Sequence, residues 1–167
     1  MKKLVLVRHA KSSWDDLMLD DFDRPLNARG KKNAPDMAER FLKLDISPNL
    51  ILTSGAKRAY ETARIFAEIL NVQPEQLKIE NQLFHASAGT LLNIVAAQKE
   101  SMDNIMIFGH NPGITEFCNI VGNYIIDNLA TCGIYGINCH AEWDKVGRWK
   151  GELFVYDYPK NSSNLFS

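Results

Sequence analysis

Apolar residues in this chain gather into six short runs, separated by longer stretches in which they recur every three or four positions. Short apolar runs bounded by turn residues are the signature of strands, and the wider recurrence is that of helices with one covered face. The runs fall at residues 3–7, 49–53, 77–80, 104–108, 133–138 and 151–158. Two of them, Leu4-Val5-Leu6-Val7 and Ile105-Met106-Ile107-Phe108, are apolar at every position. Both faces of such strands must be covered, so these two are expected at the centre of a sheet. Helical patterns occupy residues 27–43, 56–70, 87–99 and 112–124, with Met37, Phe41 and Leu44 on one face of the first and Ala59, Ala63, Phe66 and Leu70 on one face of the second. Gly30 and Pro35 weaken the first helix, and Pro35 is expected to kink it or delay its start. Asn111 and Pro112 suit the cap and first position of the last helix. Strands alternating with helices predict an α/β fold, a three-layer α/β/α sandwich with a mostly parallel central sheet.

The length of 167 residues fits one domain over residues 1–158, and residues 159–167, rich in Asn and Ser, read as a flexible tail. With 19 basic and 20 acidic residues the net charge is −1, so a basic site must be a local concentration, and nothing points to nucleic acid or an anionic membrane. The apolar run after Lys3 stops at Arg8, too short for an export signal, and no stretch approaches the roughly 18 apolar residues that span a bilayer. Cys118, Cys132 and Cys139 match no paired metal-ligand spacing and read as reduced thiols, which predicts a cytoplasmic protein.

In an open α/β sheet ligands bind beyond the carboxyl ends of the strands. Here those ends carry Arg8-His9, then Thr53-Ser54-Gly55-Ala56-Lys57-Arg58, then Gly109-His110-Asn111-Pro112-Gly113. Two arginines and two histidines are thus expected on one edge. Guanidinium forks and imidazoles aimed at one spot suit a group with several anionic oxygens, and phosphate is the obvious one. The helix after His110 is expected to add backbone N–H groups and its dipole. One imidazole attacking phosphorus while the other groups hold the equatorial oxygens gives two displacements through a phosphohistidine, with no metal or cofactor required.

At these residues the sequence resembles the histidine phosphatase superfamily, which includes the cofactor-dependent phosphoglycerate mutases. Leu4 to Ala10 looks like the family's strand and Arg-His-Gly signature, with Ala10 in place of the usual Gly. Arg24-Pro25-Leu26 with Gly30, Ser54 with Arg58-Ala59 and Thr62-Ala63, and Gly109 to Gly113 resemble later blocks in order. The resemblance implies a phosphoglycerate mutase-like fold, His9 as nucleophile, and Arg8, Arg58 and His110 as the rest of the phosphate pocket. The short course from Arg58 to His110 is most similar to the SixA-type phosphohistidine phosphatases. Lys11-Ser12-Ser13-Trp14-Asp15 departs from the mutase loop, with Lys11 and Asn111 as further substrate contacts and Asp15 a source of repulsion if it points inward.

His85 follows the third strand and is a candidate proton donor, with Glu80 and an aspartate of the loop at residues 15–23 as the others, whereas His140 reads as remote from the chemistry. The acidic loop with Asp15, Asp16, Asp20, Asp21 and Asp23 lacks the spacing of a calcium loop and reads as solvated, with Asp23 pairing to Arg24. A metal site on His9, His85 and His110 lacks the close helical spacing of such centres. The expected function is a metal-independent phosphatase acting on phosphohistidine or phosphate monoesters, its partner a phosphorylated protein or small molecule. The alternatives are a small-metabolite phosphatase and a non-catalytic phosphate-dependent binding module.

Overall fold

The computed structural model describes residues 1–161; residues 162–167, most of the segment expected to be a flexible tail, lie outside the described residues. Ten main elements follow the expected order within a few residues at each end: β1 (Lys2–Arg8), α1 (Ala28–Leu42), β2 (Leu50–Thr53), α2 (Lys57–Ile69), β3 (Leu77–Ile79), α3 (Ala88–Ala96), β4 (Asn104–Gly109), α4 (Gly113–Val121), β5 (Ile134–Cys139) and β6 (Glu152–Asp157). The strands form one sheet in the order β3-β2-β4-β1-β5-β6. The pairings β3-β2, β2-β4 and β4-β1 are parallel, and β5 runs antiparallel to both β1 and β6.

The two all-apolar strands are the central pair because their alternate residues serve different cores. Leu4, Leu6, Ile105 and Ile107 enter the cluster with α3 and α4, while Val5, Val7, Met106 and Phe108 enter the one with α1 and α2. Phe66 of α2 packs edge-on against Phe108 at a centroid distance of 5.1 Å. Such a pair contributes about 0.5–1.5 kcal/mol beyond its buried area. It also clamps α2 against the end of β4, fixing the helix whose first turn carries Arg58 beside the strand that ends at His110.

Pro35 neither delays nor ends α1, which runs unbroken from Ala28 to Leu42. The helix is secured at its start, where the Asn27 side chain accepts from the Gly30 N–H at 2.8 Å, and along its apolar face of Ala34, Met37, Ala38 and Phe41. Burial of that face outweighs the one backbone bond that proline removes. Asn111 does not cap α4. Its Oδ1 accepts from Thr115 at 2.6 Å and its amide donates to Asn128 and Leu129, leaving Pro112 at the cap with no side-chain bond.

Arg40 donates to the carbonyls of Tyr158, Pro159 and Asn161 as well as to Asp157, so the chain just after β6 is tied to α1. Among the described residues no helix is long and apolar enough to cross a membrane.

Candidate active site

Strand register brings the candidate residues together. Arg8 pairs with Gly109 across β1 and β4, and Thr53 with Phe108 across β2 and β4, so Arg8-His9, His110 and Ser54 emerge side by side at the carboxyl edge. Arg8, His9 and His110 line a cavity of about 350 Å³ together with Lys11, Trp14, Asp21, Arg24, Arg58, His85 and Asn111. The His9 and His110 rings lie 5.1 Å apart. The first turn of α4 does not line this cavity; a Cβ on Gly113 would collide with the Ala86 carbonyl, so that turn is packed under the loop carrying His85.

His9 is held by its neighbours in one tautomer. Its Nδ1 lies 2.7 Å from the Ala10 carbonyl, which can only accept, so Nδ1 carries the proton. Nε2 is then the lone-pair nitrogen, and the Arg58 Nε–H points at it from 3.4 Å. Burial pushes the His9 pKa down to about 4; the bond to Ala10 opposes this, and Arg58, Arg8 and Arg24 add to it. Ala10 fits where the resembled family has Gly, because its methyl enters the apolar cluster beneath α1 and α2 while its N–H donates to Thr62 at 3.0 Å. The Cys132 N–H donates to the carbonyls of both Arg8 and His9 at 3.0 Å. Cys132 makes that reach from a left-handed backbone with φ of 60°, an uncommon conformation for a non-glycine residue.

His110 is set by the same logic. Its Nδ1 faces an Arg58 Nη2, which can only donate, so its Nε2–H donates to Ser54 Oγ at 2.9 Å. Burial first, then His9 and Arg58, lower its pKa to about 2. Arg58 is 2% exposed. Arg8 donates through Nη1 to Leu129, but its Nε is buried with no hydrogen-bond partner among the described residues. A buried guanidinium N–H without an acceptor is costly, and the Arg8 side chain that carries it also lines the cavity.

Asp21 is the loop aspartate that enters the site, a choice the sequence left open among five. Its Oδ2 accepts from Arg58 Nη2 at 3.1 Å and from His85 Nε2 at 2.8 Å, while Oδ1 takes Arg24 Nε at 3.0 Å. Arg24 therefore pairs with Asp21 and not with Asp23, and its guanidinium also lies 3.5 Å from the Trp14 ring centre. Burial would raise the Asp21 pKa, but the bonds from His85, Arg58 and Arg24 win and hold it at about 2. His85 reaches this carboxylate from a left-handed backbone with φ of 52°, and its ring lies 5.1 Å from that of His110.

The remaining residues sort by position. Lys11 lines the cavity from an exposed site, and Asn111 lines it with its amide already engaged. Asp15 is exposed and does not line it. His140 lies at the opposite edge of the sheet, after the Cys139 that pairs with Lys2, and its ring is 3.8 Å from Glu152. Cys118, Cys132 and Cys139 are free and buried, and burial pushes their pKa values up, to about 12 for Cys132 and about 11 for Cys139. Thiols held so firmly protonated are poor nucleophiles.

Residues 4–112 match the model of the histidine phosphatase superfamily (branch 1). The chain belongs to that superfamily. An uncharacterized chloroplastic protein of Arabidopsis thaliana is 33% identical over 92% of this chain and 77% of its own. Among solved structures, a chain of Agrobacterium tumefaciens assigned as the phosphohistidine phosphatase SixA is 26% identical and covers 95% of this chain and 98% of its own at a TM-score of 0.79. A SixA protein histidine phosphatase complexed with tungstate shares the fold at 19% identity and a TM-score of 0.79, over 94% of this chain and 97% of its own. The mixed six-stranded sheet with four helices is thus the mutase-like α/β fold of this superfamily, and the cavity at its carboxyl edge holds both histidines and both arginines singled out from the sequence.

Proposed function

We propose that this histidine phosphatase removes a phosphoryl group from phosphohistidine or phosphate monoesters through a covalent intermediate on His9. The observation that carries the reading is the state of His9: a buried neutral imidazole, fixed by Ala10 so that Nε2 presents its lone pair among the guanidinium groups of Arg8 and Arg58. A dianionic phosphoryl group entering this cavity meets the Arg8 and Arg58 guanidinium groups, which stabilise its oxygens as charge develops. His9 Nε2 then forms a bond to phosphorus while the bond to the leaving nitrogen or oxygen breaks, and the departing atom takes a proton. Water attacks the phosphohistidine in the second displacement, the P–N bond breaks, phosphate leaves and neutral His9 is restored. The Nδ1–H bond to Ala10 supports both steps by accommodating positive charge on the ring when Nε2 is substituted.

Phosphohistidine is the first substrate in this reading, supported by the assignment of the Agrobacterium chain and by the ionised Asp21, which makes a poor acid for expelling an alkoxide. The reading also places the protein in a reducing compartment such as the cytoplasm, supported by three buried free thiols. The test is rapid mixing with labelled p-nitrophenyl phosphate, followed by quenching. Acid-labile, base-stable label on the wild type and none on His9→Ala is expected; equal labelling of both proteins, or an acid-stable adduct, overturns the assignment.

A further inference from the structure

Beside the phosphate cavity lies a larger one of about 750 Å³, and the two share Lys11 and Thr131 as walls. Lys11, Arg29, Lys32 and Lys160 line it, with Tyr158 as a flank, and no carboxylate lines it. Arg29 and Lys32, three residues apart in the first two turns of α1, share a helix face. Lys11 joins them because α1 has glycine at residue 30: a Cβ there would collide with the Lys11 carbonyl, so only glycine lets this turn lie against the chain just beyond His9. The four cations are exposed, and among the described residues none is in an ion pair. In a chain of net charge −1 this is a local concentration of positive potential contiguous with the site of chemistry.

The loop that supplies Trp14 and Asp21 to the phosphate cavity exposes Leu17 and Met18 at 84% and 92% and carries acidic Asp15, Asp16 and Asp20. Apolar side chains so exposed, on a loop whose Trp14 and Asp21 line the site, fit contact with a macromolecule better than enclosure of a small molecule. A basic groove and an acidic, apolar loop that each adjoin the phosphate cavity also orient a partner, because the reverse docking sets like charges together.

We propose that the groove lined by Lys11, Arg29, Lys32 and Lys160 seats an acidic segment of a phosphoprotein substrate beside the phosphorylated residue held at His9. This deepens the phosphatase reading and rests on it. The experiment uses two phosphohistidine peptides of equal length, one with Asp and Glu flanking the modified residue and one with Ser and Asn, and p-nitrophenyl phosphate as a substrate too small to reach the groove. The acidic peptide is expected to show about tenfold higher kcat/KM at low salt, the sum of a few exposed charge pairs, and the advantage is expected to shrink as salt is added. The double variant R29E/K32E is expected to abolish that advantage and leave p-nitrophenyl phosphate turnover unchanged. Lys160→Glu, outside any helix, repeats the test if circular dichroism shows the double variant unfolded. Equal kcat/KM for the two peptides in a wild type that hydrolyses p-nitrophenyl phosphate overturns the groove proposal alone. A small bisphosphorylated ester that outcompetes the acidic peptide and loses its advantage in R29E/K32E overturns the protein-substrate assignment. Failure to hydrolyse any of these substrates overturns the phosphatase reading itself.

Discussion

His9, Arg58 and His110 are buried side chains carried by strand ends and a helix first turn, whereas Asp21 and His85, which meet them across the same cavity, hang from loops and remain in reach of solvent. The first group is fixed before any substrate arrives. Register between β1 and β4, the Phe66–Phe108 contact, and single-acceptor partners such as the Ala10 carbonyl leave its side chains little freedom. The second group is held by its own mutual bonds, and a dianionic phosphoryl group arriving at Arg58 must share or displace the Asp21 carboxylate. In the proposed mechanism buried groups supply nucleophile and charge, and exposed ones tune what can leave.

The sharpest way to break this division is to delete the nucleophile. His9→Ala is expected to lose about a thousandfold or more in kcat for every substrate while the protein stays folded, since the other unprotonated ring nitrogen beside Arg58, His110 Nδ1, is engaged by Arg58 Nη2. Turnover near wild type in a steady-state assay would move the chemistry elsewhere. Arg58→Ala is expected to cost roughly a hundredfold in kcat/KM, the scale of one preorganised donor removed from a charged transition state. A loss below about threefold, measured the same way, would make Arg58 structural, tied to Asp21 alone.

Burial of the nucleophile also makes a stability prediction. The folded chain holds His9 neutral to about pH 4 against an ordinary value of 6.5. Between those values the unfolded chain binds a proton that the folded one refuses, so this contribution is complete above pH 6.5 and is lost as the pH falls toward 4, by about 1.4 kcal/mol per unit. His9→Gln removes that dependence. Urea titrations at pH 7 and pH 4.5 are expected to show the variant gaining about 2–3 kcal/mol relative to wild type on acidification, and an unchanged difference would place His9 in contact with water.

The same contrast explains what could be read from the sequence. Arg8-His9, Arg58 and Gly109-His110 were legible because strand runs are short and strongly apolar, and whatever follows their carboxyl ends must share an edge. Asp21 was not, since five aspartates lie between residues 15 and 23 and only the folded loop shows which of them meets Arg24 and Arg58. Ser54 and Thr62 were visible as residues but not as partners of His110 and Ala10. Pro35 misled because local propensity was weighed without the buried face that holds α1, and Asn111 because its side chain has better partners across the cavity wall.

The smallest expected effect is the most specific to the exposed half of the site. Alkoxide departure needs a proton in the transition state, whereas an aryl oxide is a stable anion and a phosphorylated imidazole leaves readily. Asp21, held at about pKa 2 by His85, Arg58 and Arg24, is ionised at neutral pH and cannot supply that proton. His85 Nε2 donates to this carboxylate at 2.8 Å and the ring lines the cavity next to His110, so its doubly protonated form can give up a proton and remain a neutral imidazole bound to Asp21. The wild type is therefore expected to show higher kcat/KM for phosphohistidine and p-nitrophenyl phosphate than for phosphoserine or 3-phosphoglycerate. His85→Ala is expected to lower kcat for phosphoserine about tenfold, the low end of general-acid contributions, and to change p-nitrophenyl phosphate turnover by less than about threefold. Asp21→Asn separates donation from positioning: it frees Arg58 and lowers KM for p-nitrophenyl phosphate, while phosphoserine turnover falls as in His85→Ala because the ring loses its anchor. Equal losses on aryl and alkyl substrates in His85→Ala would make that ring a support for His110, and a wild-type preference for 3-phosphoglycerate would require a proton donor other than these two residues.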